Sequence, residues 1–196
     1  MRVAMMLYTG FRLLEVTGPM DVFHEANRLH GSAFYEPHLV GPAEGPVVSS
    51  NGTAVGTTAS LVDRHLSFDI VVVPGGSSVH TSVQARDERD DIVDWLSAAG
   101  RRARRLICVS SGAFLVARAG LADHRWLTTH VDDAQRLANA HPFVHVMSNL
   151  SNLKDGNLYS SGGVYDGMHL ALALVREDLG PHIATGVTNA LMQPSR

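Results

Sequence analysis

Ser110 is the residue whose type and position most directly suggest chemistry. It follows an apolar run, Leu106-Ile107-Cys108-Val109, with the length and character of a buried strand. It precedes Ser111-Gly112 and a helical pattern, Ala113-Phe114-Leu115-Val116-Ala117. A polar residue at a sharp strand-to-helix turn has its side chain exposed at the carboxyl edge of a sheet. The first N–H groups of the next helix point at the same spot. This is the logic of a nucleophile elbow, and it predicts φ > 0 at Ser110. A serine hydroxyl needs an adjacent base to attack anything; without one it is a hydrogen-bonding group on a pocket floor. Fold alone does not carry activity, so the pocket-floor role is favoured.

Several other groups could join it. Pro74-Gly75-Gly76 after an apolar strand permits close backbone approach to a ligand, or is simply a tight turn. The Gly76 and Ser111 N–H groups are candidate donors of the oxyanion-hole kind, able equally to hold a carboxylate or another small anion. Glu15 is flanked by Leu13, Leu14 and Val16, which favours burial over a surface role capping a helix that starts near Gly18. Cys108 lies two residues before Ser110 within the strand and reads as an inert core thiol. Asp166 and His169 are three apart and can share a helix face. His130, ending Thr128-Thr129-His130, could reach the site or a partner subunit; a satisfied polar contact is the plainer role. No metal site is expected: His141 and His145 have i,i+4 spacing, but Pro142 argues against a helix there. Arg101, Arg102, Arg104 and Arg105 could touch nucleic acid, but a solvated run complementing a helix C-terminus is the simpler expectation.

The elements that must position these groups alternate. Val3–Tyr8 and Phe34–Val40 read as strands around a helix opened by Gly18-Pro19 and ending near Leu29 to Gly31. Val47-Val48 and Thr53-Ala54-Val55 flank Asn51-Gly52, a type I′ hairpin signal. Asp69–Val73 is a buried strand, and a helix carrying Ile92, Val93, Trp95 and Leu96 ends near Gly100. After the central strand and its helix, Trp126–Thr129 is short and β-like, and Asp132–Ala140 a short helix. Val144–Met147 and Asn157–Ser160 look like strands joined through Asp155-Gly156. Ser161-Gly162-Gly163 leads into a long amphipathic helix, broken at Gly180-Pro181, with a final helix from about His182 to Leu191. The pattern predicts one α/β domain, residues 1–196: doubly wound, flavodoxin-like, a mainly parallel sheet with helices on both faces. Its ligand crevice should lie beyond the carboxyl ends of the strands.

Composition excludes some classes. Of 196 residues, 45% are hydrophobic and 18% charged, so the chain is globular rather than disordered. A net charge of −3 does not favour nucleic-acid binding by this chain alone. A single cysteine permits no internal disulfide and suggests a reducing cytoplasm. Met1 leads almost directly into a strand, with no cleavable signal pattern, and no apolar run approaches a membrane span.

Four stretches together resemble the ThiJ/PfpI superfamily, of the class I glutamine-amidotransferase-like type. They are Leu14–Phe23, Val71-Val72-Val73-Pro74-Gly75-Gly76, Val109–Phe114 and Ser161-Gly162-Gly163-Val164. Ala119-Gly120-Leu121-Ala122-Asp123, then Thr128-Thr129-His130, resembles the N-terminal domain of AraC-type transcription regulators; isocyanide hydratases are similar over the same stretches. The resemblance implies that Ser110 stands where relatives usually have cysteine, and that Glu15 falls where they carry an acid close to the nucleophile. It also implies that the protease pattern is missing, because Ser111 follows the elbow where PfpI-like proteases have histidine. Leu191–Arg196 resembles the exit into a linker to a helix-turn-helix pair, and no such DNA-binding domain follows in this sequence.

The expectation is therefore a ligand-sensing domain of an AraC-type regulator, a homodimer that would meet DNA only through a C-terminal domain not present here. A small polar molecule would be bound by Glu15, Gly75, Gly76, Ser110, Ser111, Gly112, His130 and Gly163, with no cofactor and no membrane. The alternative is an isocyanide hydratase-like or other small-molecule hydrolytic enzyme using Ser110 and Glu15.

Overall fold

A computed structural model describes residues 1–63, 66–77 and 88–192. The first strand, β1 (Arg2–Met6), and the Leu7-Tyr8 that follow it are buried almost throughout. Helix α1 (Leu13–His30) comes next and is stopped by Gly31 in a left-handed conformation, φ 76°. Its start corrects the sequence expectation. The helix does not open at Gly18-Pro19 but five residues earlier, and Pro19 lies inside it. Pro19 removes one intrahelical donor, but packing outweighs that local signal. Gly18 sits so close to the last helix that a Cβ there would lie 2.7 Å from Met168 Cγ.

The strand β2 (Glu36–Gly41) pairs parallel to β1, and β3 (Pro46–Val48) and β4 (Ala54–Gly56) form a separate antiparallel hairpin. Only Gly52, φ 86°, has positive φ in its loop, so the expected type I′ turn at Asn51-Gly52 is not formed. Asn51 instead uses its side-chain oxygen, accepting from Ser49 Oγ at 2.7 Å and Thr53 N at 3.1 Å.

The strands β5 (Ala59–Ser60), β6 (Ile70–Val73) and β7 (Arg105–Val109) complete most of the sheet, with α2 (Glu88–Arg102) before β7. After β7 come a single 3₁₀ turn, Ser110–Gly112, and α3 (Ala113–Arg118). Two short parallel strands, β8 (Trp126–Thr128) and β9 (His145–Met147), flank α4 (Val131–Ala140). Asp155-Gly156 does turn the chain, but the strand it joins to β11 (Leu158–Ser161) is β10 (Asn152–Asp155), not Val144–Met147. The last helical segment, α5 (Val164–Leu191), is broken at Gly180, φ 86° and ψ 170°, as Gly180-Pro181 predicts.

The main sheet has the order β10-β11-β7-β6-β1-β2-β5, parallel except for the β10 edge. Helix α1 packs on α5 and α2 on α3, giving the expected layers. The chain passes from β1 outward to β2 and then back across to β6. The carboxyl ends of β1 and β6 therefore flank a topological switch point, where open α/β sheets hold their ligands. Among the described residues no helix is long and apolar enough to cross a membrane.

Candidate functional site

Three segments meet at that switch point: the chain after β1, the Pro74-Gly75-Gly76 loop after β6, and the turn after β7. Backbone and side-chain bonds tie the first two together. Arg12 N donates to Gly75 O at 2.8 Å, Phe11 bridges Gly76, and the buried Tyr8 hydroxyl donates to Pro74 O at 2.7 Å.

Ser110 has φ 52°, the strained backbone expected of an elbow, in a residue that is only 5% exposed. Its carbonyl accepts from Thr129 Oγ1 at 2.8 Å. Among the described residues no hydrogen bond holds its own hydroxyl and no base is bonded to Ser110 Oγ.

Ser111 does something different from what its position suggests. Its hydroxyl turns toward the loop after β6, accepting from Gly76 N at 3.1 Å and lying 3.3 Å from Gly76 O. The Gly76 N–H, expected as an open donor for a ligand, is thus committed within the protein. Gly112 is a packing residue: a Cβ there would lie 2.8 Å from Pro74 O and closer still to the Val73 carbonyl.

Glu15, in the first turn of α1, is buried as its apolar neighbours suggest. Its Oε2 accepts from Gly75 N at 2.5 Å, while Oε1 has no hydrogen-bond partner among the described residues. Arg12 Nε is 3.9 Å from that Oε1 on a largely exposed side chain. Burial pushes the Glu15 carboxyl up to about 7, against the opposing pull of the Gly75 N–H and Arg12. Burial likewise raises the Tyr8 phenol, helped by the nearby Glu15 charge. Near neutral pH Glu15 is therefore poised between accepting a second hydrogen bond through Oε1 and, once protonated, donating one. Gly75 must be glycine here, because a Cβ would lie 2.7 Å from Ser111 Oγ and 2.9 Å from Glu15 Oε2.

The structure thus brings Glu15, Gly75, Gly76 and Ser111 together, with Ser110 beside Ser111 and Gly112 behind. It does not join His130 or Gly163 to Ser110 by any hydrogen bond among the described residues. His130 caps α4, its Nδ1 accepting from Asp132 N at 3.3 Å, and it neighbours the site only through Thr129. Gly163 precedes α5 beside the Asp166 carboxylate. His169 faces a separate cleft along α5. Cys108 is fully buried and its thiol is pushed up to about 12, as suits a core residue.

Tyr8 and Thr129 are site neighbours that sequence reasoning did not single out. Tyr8 ends the run that continues β1, and Thr129 sits in the Thr-Thr-His stretch; position after a strand was the available signal for both. Ser161 Oγ is a further buried hydroxyl without a hydrogen-bond partner among the described residues, at the end of β11 beside Val109.

Away from the site, Arg102 Nε donates to Ala98 O at 3.2 Å, complementing the end of α2 as expected. Arg105 departs from the expected solvated run: it is mostly buried and makes a bidentate pair with Asp178 at 2.9 and 2.7 Å. His141 caps the end of α4 while His145 opens β9, and His145 stacks on Trp126 at 4.8 Å.

Comparison with known proteins agrees with this architecture. The sequence profile of the DJ-1/PfpI family matches residues 1–177. The chain is 28% identical to the isonitrile hydratase of Pseudomonas putida over 182 residues, covering 92% of this chain and 73% of that protein. It is 26% identical to the HTH-type transcriptional regulator CdhR of Pseudomonas aeruginosa over 183 residues, 93% of this chain but 52% of the regulator. The chain therefore spans about half the length of that regulator. A solved structure of an AraC family transcriptional regulator from Pseudomonas putida superposes with a TM-score of 0.80 at 26% identity, covering 97% of this chain and 98% of that one.

Proposed function

The chain belongs to the DJ-1/PfpI family, and from that premise we propose that it is the ligand-sensing domain of an AraC-type transcription regulator. A small polar molecule binds at the Ser110 elbow, with Ser110 Oγ and Glu15 Oε1 as its principal polar contacts. The observation that carries this reading is a pair of polar groups at one switch point that make no hydrogen bond among the described residues. Among the described residues Ser110 Oγ has no hydrogen bond, and the buried Glu15 Oε1 accepts none, with the Arg12 Nε at 3.9 Å beside it. A buried acceptor of this kind is costly to leave unmet and is satisfied by a bound group.

Two features favour binding over turnover. A serine nucleophile needs a base in hydrogen-bond reach, and among the described residues none is bonded to Ser110. The Gly76 N–H, a natural oxyanion donor, is taken by Ser111 Oγ. In this reading the molecule acts as a homodimer and reaches DNA through a separate domain, as the length of the regulator relative suggests. Ligand binding biases the arrangement that such a domain would read.

A second reading is favoured by the isonitrile hydratase relative and by the raised Glu15 carboxyl, which suits an acid–base group near neutral pH. The variant Ser110→Cys separates the two. A thiol is readily activated at a helix N-terminus, so isocyanide hydration by this variant would show a site arranged for catalysis. No turnover by the variant or by the native serine supports the sensing role.

A further inference from the structure

The break at Gly180 folds the two parts of α5 so that they share a cleft of about 230 Å³, remote in sequence from the elbow. One wall is a single stripe of the first part, His169, Leu172, Ala173 and Arg176, at i, i+3, i+4 and i+7 spacing; the other is Ala184, Thr185 and Thr188. The chemistry of these walls is one-sided. Leu172, Ala173 and Ala184 are apolar, His169, Arg176 and Thr185 offer donors, and no carboxylate lines the cleft.

The two acids that follow Arg176 are engaged elsewhere. Glu177 accepts from Lys154 Nζ at 2.9 Å and Tyr159 OH at 3.1 Å, and Asp178 is held by Arg105 and by Tyr35 OH at 2.7 Å. Thr188 Oγ1 is committed to Ala184 O at 2.9 Å. Arg176, His169 and Thr185 make no side-chain hydrogen bond or ion pair among the described residues. A guanidinium without a carboxylate, beside an apolar surface, is a receptor for a small anion. The volume is below the roughly 300–1,000 Å³ of drug-sized sites, which limits the ligand to a few heavy atoms.

We propose that this cleft is a second ligand site, which binds a small organic carboxylate. The charged end is held by Arg176 with His169 and Thr185, and the short apolar end lies on Leu172, Ala173 and Ala184. The site goes beyond the elbow reading and does not depend on it.

Butyrate is a suitable probe, with butyramide as its uncharged counterpart, in ¹H–¹⁵N NMR titrations of the native chain, Arg176→Gln and Ser110→Ala. The expected result is saturable shifts at the amides of Ala173, Arg176, Ala184 and Thr185, equal in Ser110→Ala. Arg176→Gln and butyramide should each bind about ten-fold more weakly. The exposed Ala173→Trp, which fills the cleft, should abolish the shifts while leaving the folded spectrum intact. The absence of saturable shifts, butyrate binding that Arg176→Gln leaves unchanged, or shifts confined to the Gly75, Gly76, Ser110 and Ser111 amides and lost in Ser110→Ala would each overturn the proposal. The last pattern would leave the elbow reading standing, so the two fail separately.

Discussion

Glu15, at the start of α1, accepts the Gly75 N–H from the loop after β6 at 2.5 Å, leaving its second oxygen buried and unmatched. One carboxylate thereby fixes the geometry of the loop and remains available to a ligand. Its protonation then becomes a property of the folded chain.

Burial raises this carboxyl from 4.5 to about 7. Between those values the folded protein holds a proton that the unfolded chain has released, so stability falls as pH rises through the window. The full effect is about 3 kcal/mol, complete above the folded value. Glu15→Gln keeps an acceptor for Gly75 and removes the charge. Urea denaturation of both proteins should show the variant gaining on the native chain from about pH 5 to pH 8. A difference independent of pH would contradict the burial argument.

The φ of 52° at Ser110 carries a cost that glycine would not bear. Ser110→Gly should stabilise the fold by about 1 kcal/mol, the left-handed penalty less the added freedom of the unfolded chain. A chemical-denaturation midpoint that falls instead would mean that the elbow is held without strain.

Gly112 faces the carbonyls that end β6. Gly112→Ala drives a methyl group into backbone that cannot move independently, so a loss of about 3 kcal/mol or more is expected in thermal or urea unfolding. Substitution without loss would show that the turn after β7 can move away from Val73.

Arg105 and Asp178 form a bidentate ion pair, with Tyr35 donating to the same carboxylate. Among the described residues, Asp178→Ala leaves the mostly buried guanidinium only the Glu177 carboxylate at 3.5 Å and should cost about 3 kcal/mol, more than replacing both partners by apolar residues. A double replacement that costs the sum of the two single replacements, measured in a double-mutant cycle, would contradict a coupled pair.

Much of the scaffold was legible from local chemistry. Leu106–Val109 followed by two serines gave both the strand and the strained turn, and Gly180-Pro181 gave the break in the last helix. What local patterns could not express was tertiary. Packing of Gly18 against Met168 carries α1 through Pro19, and the distant Asp178 turns Arg105 from an expected surface charge into a buried partner. The same holds at the site. The turn predicts where Ser110 and Ser111 lie, but only the approach of the loop after β6 makes Ser111 Oγ, rather than a ligand, the partner of the Gly76 N–H.

The central claim, that the Ser110 elbow binds without turning over, is tested most directly by a thermal-shift screen against small amides, amino acids, isocyanides and carboxylates. Mass analysis of the recovered ligand and Ser110→Ala in parallel complete the measurement. A ligand at 100 times its Kd should stabilise the native chain by about 2.7 kcal/mol. The account predicts a shift that persists for hours, is weakened in Ser110→Ala, and returns the ligand unchanged. A shift that decays as a new product appears, and that is absent in Ser110→Ala, would make the protein an enzyme and contradict the account.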